Sequence, residues 1–411
     1  MRNIYIVLCG LVLLSVFSPV FAAVNTAKID VVRNKETLAE ADTAVIEEFL
    51  SDAFAEFVAK TDFSDIATLR ATIVSKSTST IESGQIQYGP RFIATAQKEI
   101  SSTFQKINAL GEGYHKTILT TNLLILVNDL ANIEIAKAAL DYLQNPNIIV
   151  RYWAVNSLSN DNIIKQLNYD SEENRQLAVE ITKQLLALAQ TEQSSDILIF
   201  LAKFASGVKQ PAANDILTAI AQKRIDLYMG WKANDELIEE SILQAFADRA
   251  KTDSDSARLM AKNFAILYSL VIQKYVVGEQ SLSETSRTNL VSVITQSEKL
   301  LPSFIPDWQD ALKRSLEKGG GGATLLATHD SLLGTSSVPG KLPTALGFDY
   351  GKNPDGTVKT APPTLPKPAV EKPPVEKQPT AKPSTEKPST AKPQTEKPQA
   401  ENKTPKTPKT P

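Results

Sequence analysis

Cysteine is almost missing from this 411-residue chain: the single one, Cys9, lies inside the apolar stretch that opens the sequence. Without other cysteines the body cannot be held by disulfides, so its stability has to come from an apolar core, which a chain of this length can build. Histidine is nearly as scarce. His115 and His329 are the only two, they stand far apart, and no H-E-x-x-H occurs, so the familiar metal centres built from clustered His or Cys are excluded. Asp253 and Asp255 hint at a calcium loop, but the glycine for its sharp turn and the closing glutamate are missing. The segment Gly334 to Leu342, GTSSVPGKL, has the outline of a phosphate-binding loop. Its Gly340 and Lys341 come one residue too late, and Leu342 stands where a magnesium-holding hydroxyl belongs. No G-x-S-x-G elbow is present. The acidic pairs Glu47 with Glu48, Glu172 with Glu173 and Glu239 with Glu240 are adjacent along helices, so they do not face one cleft. These absences lead to the expectation of a non-enzymatic protein with no catalytic residue, cofactor or metal.

Turn formers are sparse as well. Between Ala23 and Lys318 there are seven glycines and five prolines, too few for an all-β protein of this size. The apolar spacing is helical: Ile46, Phe49, Leu50, Ala53, Phe54, Phe57 and Val58 mark one buried face, and Phe92, Ile93, Ala96, Ile100, Phe104 and Ile107 mark another. Further helices are predicted over 114–130, 133–143, 147–158, 172–190, 195–206, 212–228, 235–250, 255–277, 284–300 and 307–317. Many helices of moderate length with short connections pack on their sequence neighbours, which gives an all-α solenoid or bundle.

The first residues, MRNIYIVLCGLVLLSVFSPVFA, combine one arginine, an apolar run from Ile4 to Phe17 and a small-residue ending. They are expected to be a secretory signal peptide over 1–22, cleaved after Ala22, with cleavage after Ala23 as the alternative. The run is short of the roughly 20 residues needed to span a bilayer. A periplasmic or extracellular product with no integral membrane segment after cleavage follows as the expectation.

The stretch Ala138 to Leu158, AALDYLQNPNIIVRYWAVNSL, has a first helix ending in Leu140 and Leu143, an Asn-Pro-Asn turn, and a second helix with Val150, Arg151, Ala154 and Leu158 in the pattern V-R-x-x-A-x-x-x-L. It resembles a HEAT repeat. The resemblance implies that the apolar positions bury against neighbouring helices, that Ala154 permits close approach, and that Arg151 makes a structural contact with the turn of a neighbouring repeat. Weaker echoes of Arg-x-x-Ala begin at Arg91, Arg175 and Arg258, at irregular spacing rather than the regular period of about 40 residues. The expected organisation is therefore an N-terminal helical region over 23–110 and a divergent HEAT-like solenoid over 111–318.

A Gly-rich linker with a possible hairpin around Asn353 to Gly356 is expected over 319–360, followed by a disordered tail over 361–411. The tail holds fourteen of the twenty-three prolines and, with Lys352 and Lys359, twelve lysines against six acidic residues from Lys352 onward. That segment is +6, which leaves −8 for residues 1–351 of a chain whose net charge is −2. An acidic body argues against nucleic acid. In the tail, Lys367, Lys372, Lys377, Lys382, Lys387, Lys392 and Lys397 recur every five residues. On a polyproline helix such lysines spiral, which suits diffuse attraction to an anionic cell-wall polymer or polysaccharide, or an open spacer. The composition is similar to the Pro-Lys-Glu spacers of envelope proteins. The sequence thus points to a scaffold that binds an unidentified protein on its helical surface and is positioned by a C-terminal tether. The rivals are a glycan-associated protein in which the tail is the main binder, and a helical carbohydrate-active enzyme using Tyr114 and His115.

Overall fold

The face of Ile46, Phe49, Leu50, Ala53, Phe54 and Phe57 is buried in the computed structural model, and it packs on the face of Phe92, Ala96, Ile100, Phe104 and Ile107. The rings of Phe49 and Phe92 stand 6.4 Å apart. The structure describes residues 25–80, 87–251, 255–317 and 321–368. Among them are seventeen α-helices and two 3-10 turns, with isolated bridges from Gly334 to Pro339 and from Lys352 to Val358 but no strand, so the chain is all-α. In order the helices are α1 (Ala27–Val32), α2 (Glu40–Ala59), α3 (Phe63–Ser75), α4 (Tyr88–Asn108), α5 (Tyr114–Leu130), α6 (Ile133–Ala136), α7 (Ile148–Leu158), α8 (Asp161–Leu167), α9 (Glu172–Thr191) and α10 (Ser195–Gly207). There follow α11 (Ala213–Met229), α12 (Ile238–Ala250), α13 (Asp255–Val277), α14 (Glu284–Glu298), α15 (Ala311–Glu317), α16 (Gly321–Leu333) and α17 (Lys341–Leu346).

Many helices pack on the next-but-one in the chain. The pairs α2 with α4, α3 with α5, α5 with α7, α9 with α11, α10 with α12, and α11 with α13 lie side by side. The rhythm slips where α7 packs on α10 and the short α8 fills the step, and again after α12, where α13 packs on α16 and α17. Side-chain caps start many helices: Asp62 accepts from the Ser64 and Asp65 amides, Asn147 from Ile149, Asn160 from Asn162, Ser171 from Asn174 and Ser283 from Ser286. One apolar core runs through the whole array, including across residue 110, where α4 packs on α5.

Several expectations need correction. The helix predicted over 133–143 is α6 followed by a 3-10 turn over Lys137–Tyr142, a tightening that places the Tyr142 ring 4.8 Å from Phe104 and its hydroxyl on Asn108. The last helix of the predicted set begins at Ala311, not at 307. The buried carboxylate of Glu298 takes the Trp308 indole N–H and the amides of Leu312 and Lys313, holding the approach to α15 in a loop.

The segment 319–360 is not a plain linker, since it holds α16 and α17, both packed on α13, and the hairpin bridge at Lys352 and Val358. Leu325, His329, Leu332 and Leu333 form the buried face of α16. Gly322, at the head of that helix, serves close packing: a Cβ on it would collide with a methyl of Val276. The tail expectation is also corrected at its start, because residues 361–368 lie on the body with Leu365 only 3% exposed. The remainder, 369–411, is outside the described residues, as is the 1–22 segment.

Candidate functional site

The Asn-Pro-Asn turn before α7 is built from side-chain oxygens. Asn145 accepts from the Asn147 amide and Asn147 from the Ile149 amide, both at 2.9 Å, so the helix starts at Ile148. Its phase buries Val150, Ala154 and Leu158. Arg151 then spans two turns. Nη1 donates to the carbonyls of Asn145 (2.8 Å) and Pro146 (3.2 Å), while Nε and Nη2 grip Glu192, the C-cap of α9, at 2.9 and 3.3 Å. Glu192 is buried, which raises the cost of its charge. The guanidinium and the amides of Gln193 and Ser194 outweigh that burial and hold the carboxyl below its usual range.

Burying Val150 and Ala154 turns their equally apolar neighbours outward. Ile148 and Ile149 are 50% and 53% exposed at the head of α7. One turn on, Tyr152 and Trp153 are half-buried, with their rings edge-on at 5.4 Å, and Tyr152 meets Phe200 of α10 edge-on at 5.1 Å. Two aliphatic and three aromatic side chains thus share one face, which the Arg151–Glu192 pair fixes against the next helices. Such a face can take up apolar groups of a partner.

The structure also assembles a group that the sequence gives no sign of. Ser269 Oγ on α13 lies 2.8 Å from His329 Nε2 on α16, and His329 Nδ1 lies 2.9 Å from Asp330 Oδ1. The residue types and the order of contacts are those of a hydrolytic triad. The environment differs, however. Ser269 is fully buried, and its hydroxyl also accepts from Gln273 Nε2 at 2.8 Å, so no carbonyl carbon can approach it. Burial lowers the pKa of His329, against the opposing pull of Asp330, and the neutral ring joins α13 to α16. His115, weighed with Tyr114 as a catalytic pair, bonds instead to the Lys60 carbonyl at the end of α2 (2.9 Å), while Tyr114 is 81% exposed.

Two buried ion pairs tie α11 to α12 and α13 to the turn before α12. Arg224 Nε donates to Glu239 at 2.7 Å, and Lys274 reaches Glu236 at 2.8 Å as well as the Ala233 carbonyl. Both cations lie over the Tyr228 ring. Burial pushes the Glu239 carboxyl up, to about 7, with Arg224 pulling the other way. Among the described residues no three His, Cys, Asp or Glu side chains are grouped to hold a metal ion. No helix among them is long and apolar enough to cross a membrane. Of the tail lysines, Lys367 is exposed at the end of the body, and Lys372, Lys377, Lys382, Lys387, Lys392 and Lys397 lie outside the described residues. Asp253 is also outside them. No protein-family model, curated protein or solved structure matches the chain.

Proposed function

We propose that this protein is a non-enzymatic helical scaffold, exported to the periplasm or the cell exterior, that binds another protein through the apolar face of α7 and α10 and is positioned by its lysine- and proline-rich C-terminal segment. The observation that carries this reading is the face itself: Ile148, Ile149, Tyr152, Trp153 and Phe200 gathered on a rigid support. Binding energy at protein interfaces concentrates in a few aromatic and aliphatic anchors, Trp and Tyr above all, and a preformed face spares the entropy of ordering them. A HEAT-like origin for 138–158 belongs to the same proposal, supported by the burial of Val150, Ala154 and Leu158 and by the reach of Arg151 to the turn after α9. The sealed position of Ser269 and the capping position of His115 favour the scaffold over the enzyme.

The test is the double substitution Ile148→Glu with Ile149→Glu. Both side chains are half exposed, so the charges leave no buried hole and the melting temperature stays within about 2 °C of the original. Cross-linking in an envelope extract, with masses identified, should recover at least one protein with the original chain that the variant loses. Recovery of the same set by both would sink the assignment of this face.

A further inference from the structure

Residues 360–368, TAPPTLPKP, cross the body as an extended strap. Four of the nine are prolines, which have no N–H, so the strap cannot be stitched down by a strand ladder. The body reads its backbone with side chains instead. The Gln273 amide pairs with it twice: Nε2 donates to the Pro363 carbonyl at 2.9 Å and Oε1 accepts from the Leu365 amide at 2.7 Å, the two contacts a neighbouring strand would make around residue 364. Gln273 is itself oriented by Ser269. Two residues further, the Trp231 indole N–H donates to the Pro366 carbonyl at 2.8 Å. Trp231 adopts φ 57°, a left-handed conformation rarely tolerated by a bulky residue. The Leu365 side chain is buried, and at Gly334 (φ 106°) a Cβ would stand 2.1 Å from the Thr360 carbonyl, so only glycine lets the strap pass.

An indole donor, a bidentate amide and one apolar socket are the parts with which proteins recognise extended proline-rich peptides, whose preformed helix loses little entropy on docking. We propose that the groove of Trp231, Gln273 and Gly334 is a recognition site for an extended peptide with leucine two residues after a proline and directly before another, that residues 360–368 are its built-in ligand, and that the same segment of a second copy can replace them. The site is separate from the apolar face on α7. Its cis occupant is attached by two buried apolar side chains, Pro362 and Leu365, and by four side-chain hydrogen bonds, the fourth from the Thr360 hydroxyl to the Thr335 carbonyl, with no backbone ladder, so it opens locally, without unfolding the helices beneath. Attachment gives the strap an effective concentration in the millimolar range, so a free peptide competes poorly until the strap is disabled.

The experiment uses the full chain and a fluorescent TAPPTLPKP peptide followed by anisotropy, with a scrambled peptide as control. Leu365→Asp should empty the groove and bind the peptide at least tenfold more tightly than the unmodified chain. Adding Gln273→Ala to it should remove that binding. Equal binding by all three chains, or by the scrambled peptide, or none by a folded Leu365→Asp chain, overturns the proposal. Hydrogen exchange on the unmodified chain gives a readout that needs no variant. The Leu365 amide should exchange at least tenfold faster than the slowest amides of α13, and exchange at the same rate would show the strap to be an inseparable part of the body.

Discussion

Replacing Arg151 by alanine removes four hydrogen bonds that tie the turn before α7 to the end of α9. The larger effect is on what stays behind. The Glu192 side chain is 2% exposed, against 20% for Arg151, so the variant strands a buried carboxylate. Breaking a buried pair by removing one partner costs about 3–5 kcal/mol. Here Glu192 keeps the amides of Gln193 and Ser194, both at 2.9 Å, and the outer edge of the guanidinium already touches water. The expected loss is therefore about 2–3 kcal/mol, or about 5 °C in melting temperature at roughly 2 °C per kcal/mol for a large body.

Urea denaturation of the Arg151→Ala, Glu192→Gln and doubly substituted chains closes a cycle, and the pair should be coupled by about 1–2 kcal/mol. Acid adds an independent check. The Glu192 pKa lies below its unfolded value, so its contribution is present above about pH 4.5 and is lost as pH falls through the folded pKa. Arg151→Ala should flatten that acid-side loss. An unchanged melting temperature, or additive single and double variants, would refute the claim that this pair fixes α7 against α9.

Burial lowers the His329 pKa, so its contribution is full above about pH 6.5 and declines as pH falls below that value; His329→Asn should remove this slope in denaturation curves at pH 5, 6, 7 and 8. Glu239 works in the opposite sense: its folded pKa is raised to about 7, so its contribution falls as pH rises from about 4.5 toward 7, and Glu239→Gln should remove that separate slope. A fluorophosphonate probe should leave Ser269 unlabelled in the folded chain; labelling abolished by both Ser269→Ala and His329→Ala would make the triad-like group an active site after all. Ending the chain at Pro368 should leave the melting temperature unchanged, since 369–411 holds only Val370 and Val375 as large apolar side chains, whereas ending it at Thr360 forfeits the Leu365 anchor and about 2 kcal/mol. If the tail is a charged tether, changing its lysines from 372 to 397 to glutamine should weaken retention on an anionic wall polymer, and retention of the original should fall with salt; equal retention of both chains would leave spacing as the role of the tail.

Periodicity and punctuation carried the helical reading because they record local physics. The predicted spans 114–130 and 255–277 coincide with α5 and α13; Gly113 stands directly before the first and Gly278 directly after the second. What stayed illegible depends on which surfaces meet. Ile148, Ile149 and Val150 are equally apolar in sequence, yet only Val150 is in phase with Ala154 and Leu158, so the other two point outward. That exposure could have been inferred from the V-R-x-x-A-x-x-x-L spacing, because its four-residue steps define one face and leave 148 and 149 off it. Gly322 misled for a different reason: glycine permits both a hinge and a close helix approach, and only the position of Val276 decides between them. Ser269 and His329 are separated by 60 residues and carry no local signal at all. The strap shows the limit of composition. A segment rich in proline and lysine averages out as one that cannot build a core, but docking onto an existing core needs only a few buried side chains, and Pro362 and Leu365 supply them at the start of the tail. Averages over a segment describe what it can form alone; single residues such as Leu365, Gln273 and Trp231 determine what it can bind.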